Sequence, residues 1–428
     1  MNTIFLIAAL KLMSPAENAV VELAPDCLRT VATNETMAAR AAAIASHGPD
    51  GKSLRNAKGW RRPREIVFEW LATDGEKGPW ELAISKNADL SNAHVMVFRN
   101  DKPDEATGRY GDKEKSGAAA NGGAVFSHAE KVLNLEIATR YYWRVTSNIT
   151  CGRTFHPRNC SCADRRPPTT SATGTFTTAD FAPRCLALEG HVKNFRDLGG
   201  RFGLGGRRVR QGMIYRSQGL NANSVDGLIK GPSRLTANDI EYLTRTLGIR
   251  TDLDLRTKCE TAGMNGISPL GKTVQFINRS SHCYNECFKP EGKRIMAENF
   301  RVFCDRSNYP ILIHCIGGAD RTGALAYMLN GALGVSRQGL ETDWETTFYP
   351  SIPGSNETRG GTHVWNSAWH FIEGLSQYGD KTSTWNERIE LYLRDCGITA
   401  DELERFRAIM LEDGPAIPSC TNPELGER

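Results

Sequence analysis

The run His314-Cys315-Ile316-Gly317-Gly318-Ala319-Asp320-Arg321-Thr322-Gly323 sets a cysteine and an arginine at the two ends of a glycine-bearing turn. An apolar, strand-like run (residues 309–314) precedes it and a helix-forming one (residues 324–333) follows. A strand that turns into a helix in this way points unpaired backbone N–H groups, and the positive end of the helix dipole, at one centre. Such a centre binds an anion. Those amides and Arg321 favour the thiolate of Cys315, which makes it a nucleophile rather than a packing residue. Five residues separate Cys315 from Arg321, enough for the loop to close around a phosphate while the planar guanidinium takes two of its oxygens. Ile316, Gly317, Gly318 and Ala319 then supply amides to the phosphate together with Arg321 and Thr322. The Thr322 hydroxyl is placed to donate toward the sulfur and help the thiolate leave. This chemistry requires neither a metal nor a cofactor.

A departing phenolate is helped by an acid, and water attacking the resulting phosphocysteine needs a base, so one carboxyl group can serve both steps. Asp320, inside the loop, is the first candidate. Asp254 is the second, although its place at the end of an apolar strand suits a structural role better. His314 either orders the loop or packs in the core. Arg216 either orders the loop or touches substrate, and Arg196 with Asp197 reads as an ion pair or a turn cap. Trp344, Trp365 and Trp369 fall in helical stretches, where they read as core.

The elements around this loop follow from pattern. Residues 250–255 and 274–279 read as strands. Helices are expected from Thr236 through Leu247, from Ser336 to about Phe348, over residues 363–378, and after a Thr399/Glu402 capping box to about Leu411. Earlier in the chain the grammar is all-β: residues 65–71, 80–84, 94–98, 132–136, 141–146 and 174–177 are short and rich in β-branched and aromatic residues. Residues 1–59 are mixed, with a helix-prone stretch at 37–46 and a polar linker at 47–58. The apolar run 4–10, followed by Ser14, Pro15, Ala16 and Ala19, has the look of a weak export leader without a basic start. The tail, 413–428, is expected to be disordered.

The chain of 428 residues carries a net charge of only +4, which gives no nucleic-acid groove, and no run of apolar residues is long enough to span a bilayer as a helix. Of its 12 cysteines, Cys151, Cys160 and Cys162 cluster and Cys283 and Cys287 form a C-x3-C pair, so disulfides are open to it if exported. A zinc site is disfavoured because no histidine sits at companion spacing. A secreted or periplasmic location and a cytoplasmic one both stay open.

Two resemblances sharpen this reading. The H-C-x-x-G-x-x-R-T-G pattern is that of cysteine-dependent tyrosine phosphatases. Together with Asn194-Phe195-Arg196-Asp197-Leu198-Gly199-Gly200, Ile214-Tyr215-Arg216-Ser217, Leu247-Gly248-Ile249-Arg250, Asp254-Leu255-Arg256 and Glu260, it resembles a bacterial family of these enzymes over residues 183–412. The resemblance implies an α/β domain with a central sheet flanked by helices, no metal, and the acid role for Asp320. Residues 60–180 resemble a fibronectin type III domain, through Glu69-Trp70, Tyr141-Tyr142-Trp143-Arg144-Val145 and Thr175-Phe176-Thr177-Thr178. The insert at residues 151–173 departs from the usual hairpin. The expected organisation is therefore an all-β fibronectin type III-like sandwich followed by an α/β phosphatase domain.

Phosphotyrosine in a protein or peptide is the expected substrate. Ala319 stands where relatives that accept phosphoinositides carry lysine. An inositol phosphate or phosphoinositide is the alternative, with Arg216, Lys258 or Arg279 as substitute cations. A catalytically inert surface scaffold, with the β domain as its binding part for a surface or protein partner, is the third reading.

Overall fold

The computed structural model describes residues 10–24, 29, 39, 64, 66–72, 79–98, 115–118, 124–130, 134–147, 171–221, 233–347 and 369–414. The helix expected at 37–46 (residue 39 apart), the 47–58 linker, Cys151, Cys160, Cys162, Trp365 and the tail from residue 415 lie outside these residues. The chain divides into two compact units, one of Met1–Leu23 with Arg64–Ala179 and one of Ala24–Pro63 with Asp180–Arg428.

The first unit contains two sheets. Its strands are β1 (Leu10–Ser14), β2 (Ala19–Val21), β3 (Ile66–Ala72), β4 (Trp80–Ser85), β5 (His94–Phe98), β6 (Lys115–Ala118), β7 (Ala124–Glu130), β8 (Arg140–Thr146) and β9 (Ser171–Thr178). They pair in the orders β1-β3-β7-β6 and β2-β9-β8-β4-β5. Period-two alternation buries Phe68 and Trp70 on β3 and Tyr141, Trp143 and Val145 on β8. Phe68 meets Trp143 at 5.1 Å between ring centroids and Trp70 meets Trp80 at 5.4 Å, both edge-on, so the two inner faces share one aromatic core.

Two expectations change here. Residues 10–14 and 19–21 are strands of this unit, β1 pairing antiparallel with β3 and β2 parallel with β9. The apolar run 4–10, apart from Leu10, lies outside the described residues, and neither strand was foreseen because each is too brief to show alternation. Of the strand expected at 132–136, residues 132 and 133 lie outside the described residues, and residues 134–136 form a non-strand approach to β8.

The second unit is built on a five-stranded sheet in the order β10-β11-β14-β12-β13. Its strands are β10 (Arg196–Asp197), β11 (Ile214–Ser217), β12 (Thr251–Asp254), β13 (Gln275–Asn278) and β14 (Ile311–His314). All neighbours are parallel except β10, which runs antiparallel at the edge. The helices are α1 (Ala237–Glu241), α2 (Pro290–Arg301), α3 (Asp320–Ala332), α4 (Arg337–Thr346), α5 (Trp369–Ser376), α6 (Trp385–Asp395) and α7 (Ala400–Met410). Central β14 is buried on both faces. Ile311 and Ile313 join the cluster formed with α2, α3, α6 and α7, while Leu312 joins Tyr215, Leu243 and Leu270 on the opposite side.

Helix α3, directly behind the loop, is buried from Thr322 to Ala332. It approaches α4 closely because Gly323 has no side chain: a Cβ there would lie 2.5 Å from Trp344 Nε1. The helix expected from Thr236 is α1, but it passes at Tyr242 into a π-helical turn, Tyr242–Thr246. Helix α6 went unforeseen despite its own Thr384/Glu387 capping box.

Thr399 caps α7, its hydroxyl accepting from the Glu402 amide while the Glu402 carboxylate accepts from the Thr399 amide. Replacing Thr399 with Ala is expected to cost about 1 kcal/mol, lowering the thermal midpoint of this unit by about 2–4 °C. Calorimetry would register the shift.

Candidate active site

The parallel strands β11, β14 and β12 end on the same side of the sheet, the position at which open α/β sheets bind ligands. Cys315 follows β14 directly and is 3% exposed. From there the backbone makes one turn and enters α3 at Asp320 and Arg321.

The orientation of this turn is set from outside. The Ile316 carbonyl accepts from the Gly219 amide at 3.1 Å. The Gly317 and Gly318 carbonyls accept from Asn194 Nδ2 at 3.2 and 2.9 Å, and Gly318 also from Arg216 Nη2 at 2.7 Å. Three successive carbonyls are thus held outward. Among the described residues nothing accepts from the amides of Ile316, Gly317, Gly318 or Ala319, and no side chain caps α3. This is a concave array of donors with a helix N-terminus behind it, built to meet an anion. Gly318 must be glycine, since its φ is +67° and a Cβ would stand 2.2 Å from the Ser217 carbonyl oxygen.

Arg321 lies at the rim. Its Nη1 and Nη2 donate to Glu260 Oε2 and Oε1 at 2.8 and 3.1 Å, and Nη1 also reaches the Leu255 carbonyl at 3.3 Å. Partial burial pushes the Glu260 carboxyl up, but Arg321 and the Thr257 amide outweigh it and bring the group down to about 2. The Thr322 hydroxyl is fully buried with no partner among the described residues. Asp320 opens α3 and accepts a hydrogen bond from the Tyr284 hydroxyl on Oδ1.

Behind the loop sits a second set of charges. Asp343 on α4 receives Arg196 Nε on Oδ1 at 2.8 Å and Arg216 Nη1 on Oδ2 at 2.5 Å. Arg196 also donates to the Asp343 carbonyl at 2.7 Å, to Thr347 Oγ1 at 3.0 Å, and to Asn194 Oδ1. Burial raises the Asp343 carboxyl, yet the flanking arginines hold it well below the usual carboxylate range. Burial and the neighbouring Arg196 lower Arg216 to about 10, still protonated at neutral pH. Arg216 therefore orders the loop and is fully withdrawn from solvent.

Arg196 and Asp197, expected to form an ion pair or cap a turn, do so with different partners because they alternate across β10. Arg196 goes to Asp343, whereas Asp197 accepts from Arg184 at 3.0 Å and from the amides of Gly199 and Gly212 at 2.8 and 2.6 Å.

His314 is buried between two acids, its Nε2 2.9 Å from Asp252 Oδ1 without hydrogen-bond alignment and its Nδ1 3.7 Å from Asp254 Oδ1. Burial pulls the imidazole down, but Asp254 and Asp252 leave it above its ordinary value. Asp254 forks onto Arg256, with Nε at 2.9 and 3.0 Å and Nη2 at 2.6 Å, and accepts the Arg256 amide at 3.0 Å. It is fully buried and committed, whereas Asp320 is only partly buried.

Other expectations find their places. Arg279 donates to the Glu298 carbonyl at 2.6 Å, Trp344 is core, and Trp369 is 39% exposed at the start of α5. No disulfide joins Cys283 and Cys287; Cys287 is buried, and its carbonyl accepts from the Tyr392 hydroxyl at 2.9 Å. The sequence reading did not single out Asp343, Thr347 or Tyr284. The only signal for Asp343 is that Arg196 and Arg216 require an acid, and it lies 147 and 127 residues away from them.

Replacing Asp343 with Asn leaves two guanidinium groups buried against each other and is expected to destabilise this unit by about 3–5 kcal/mol, measured by denaturant unfolding. Glu260 contributes stability that is present above its ordinary 4.5 and is lost as pH falls toward about 2. Glu260→Gln is therefore expected to lose less stability over that interval than the unmutated protein, in unfolding curves taken across it.

A model of the tyrosine phosphatase family matches residues 186–412. The "putative tyrosine-protein phosphatase" of Cupriavidus necator is 27% identical over 188 residues, covering 37% of this chain and 64% of that protein's own length. Among solved structures, the catalytic core of the yeast PP-IP phosphatase Siw14 bound to citrate is 15% identical. It covers 38% of this chain and 86% of its own, with a TM-score of 0.24. A second structure of that core gives 15%, 38%, 87% and 0.23. Likenesses of that size carry no weight for fold or substrate. The family match takes in the whole anion loop, the arginine clamp behind it and more than half of the residues, and the chain belongs to the tyrosine phosphatase family.

Proposed function

We propose that this protein hydrolyses phosphotyrosine in proteins or peptides through a phosphocysteine intermediate. The observation that carries the reading is the loop itself: Cys315 at the strand end, three outward-held carbonyls, four inward-facing amides without a partner among the described residues, and Arg321 at the rim. Phosphate seats on the amides of Ile316, Gly317, Gly318 and Ala319, and Arg321 turns from Glu260 onto two of its oxygens. The Cys315 thiolate attacks phosphorus, the P–O bond to the phenol breaks, and Asp320 gives its proton to the leaving oxygen. Water then attacks the phosphocysteine, Asp320 takes a water proton, and inorganic phosphate leaves with the thiolate restored. The Thr322 hydroxyl, buried and without another partner among the described residues, donates to the sulfur as it departs.

Substrate choice rests on what surrounds the loop. Of the cations weighed for an inositol ring, Arg216 is buried on Asp343 and Arg279 is tied to a backbone carbonyl, whereas Lys258 is exposed. Ile316 is 38% exposed within the loop itself, an apolar rim suited to an aromatic ring.

The β unit is proposed to be a fibronectin type III-like module that presents the enzyme to a surface or protein partner, in a secreted or periplasmic setting. Its support is the two-sheet strand order and a tyrosine corner, in which Tyr141 at the start of β8 accepts on its hydroxyl from the Glu136 amide at 2.9 Å.

The test is phosphate release from a phosphotyrosine peptide, a phosphoserine peptide and a phosphoinositide, with reductant and no added metal. Turnover of the tyrosine peptide is expected, with complete loss in Cys315→Ser. Asp320→Asn is expected to be slower by roughly 10²-fold or more on a poor leaving group. Preference for the lipid would replace the substrate, and binding of phosphopeptide without turnover by the unmutated protein would make it a scaffold.

A further inference from the structure

Tyr284 sits in the connection between β13 and α2, where its φ of +56° is a left-handed conformation that a bulky side chain adopts at a cost. The turn that carries it, Tyr284–Phe288, is anchored at its far end. Phe288 packs against Phe371 and Tyr392 with ring centroids 5.6 and 5.1 Å apart, and Tyr392 holds the Cys287 carbonyl. At its near end, Tyr284 packs against the main core and donates its hydroxyl to Asp320 Oδ1. A strained backbone held in place by its surroundings, and ending in a hydrogen bond to a carboxyl group beside the anion loop, is the arrangement expected of a residue kept for function.

We propose that Tyr284 is a positioning residue for the proton transfers of Asp320, an inference that rests on the phosphocysteine reading above. With the phenol donating to Oδ1, protonation of that oxygen is disfavoured, and the hydrogen bond fixes the rotamer from which the acid form gives its proton. When Asp320 is the carboxylate, the same hydrogen bond fixes its rotamer for the incoming water. The tyrosine proton is not transferred in either step.

The experiment compares the unmutated enzyme with Tyr284→Phe, which keeps the ring and removes only the donor. Both are assayed on phenyl phosphate, whose leaving group is poor, and on p-nitrophenyl phosphate, whose leaving group is good. Tyr284→Phe is expected to lower kcat on phenyl phosphate about 10-fold, with KM changed less than about twofold and a smaller loss on the nitrophenyl ester. Removing a donor from the carboxylate also moves the limb of kcat that follows loss of the Asp320 proton to higher pH. In an Asp320→Asn background the same substitution is expected to have no further effect. Equal kcat and pH profiles on both esters, or a loss that persists beside Asp320→Asn, would overturn the role of Tyr284. Neither result touches the phosphocysteine reading, which stands or falls with Cys315→Ser in the same assays.

Discussion

Two guanidinium groups and one carboxylate, all withdrawn from water, hold the phosphate loop in its shape. Arg196 and Arg216 converge on Asp343, and each reaches onward to the loop: Arg196 through Asn194, Arg216 through the Gly318 carbonyl. Two buried like charges side by side are unfavourable, and the Asp343 carboxylate offsets them only because both of its oxygens are used. The consequence is directional. With the loop carbonyls drawn outward to these donors, the amides of the same peptides face the other way, toward the place where phosphate would sit.

The rest of the second unit can be understood as support for that arrangement. Parallel strands β11, β14 and β12 bring Arg216, His314-Cys315 and Asp254-Leu255 to one edge. The buried His314, Asp252, Asp254 and Arg256 hold the strand ends from the other side of the loop. Helix α3 sits so deep in the core that the N-terminus it presents cannot shift without disturbing α4, against which Gly323 packs. Arg321, by contrast, is held at the rim by Glu260, with both side chains only partly buried. An exchange of Glu260 for phosphate is a local motion, whereas the loop behind it is fixed.

How much of this was legible in the sequence depended on distance along the chain. Local signals read well: the apolar run into Cys315, the glycines of the loop, and the capping residues of α1 and α7 all act within a few positions. Long-range partners did not. Asp343 has no distinguishing neighbour in its own helix, and its role exists only once Arg196 and Arg216 are folded onto it. Tyr284 was equally silent, because nothing in the residues around it announces a left-handed backbone or a carboxyl partner 36 residues on. At β10 the structural roles of Arg196 and Asp197 were legible but their partners were not, since these sequence neighbours point to opposite sides. Strands β1 and β2 were hidden by their brevity, since five and three residues are too few for a period of two to stand out.

The central claim is that phosphate passes through Cys315. Turnover of a phosphotyrosine peptide stopped in acid at the millisecond scale, followed by mass spectrometry of the peptide containing Cys315, tests it directly. One phosphoryl group on Cys315, appearing during turnover and gone once substrate is exhausted, is the predicted result. Steady phosphate release with no phosphorylated Cys315 at any time point would contradict it.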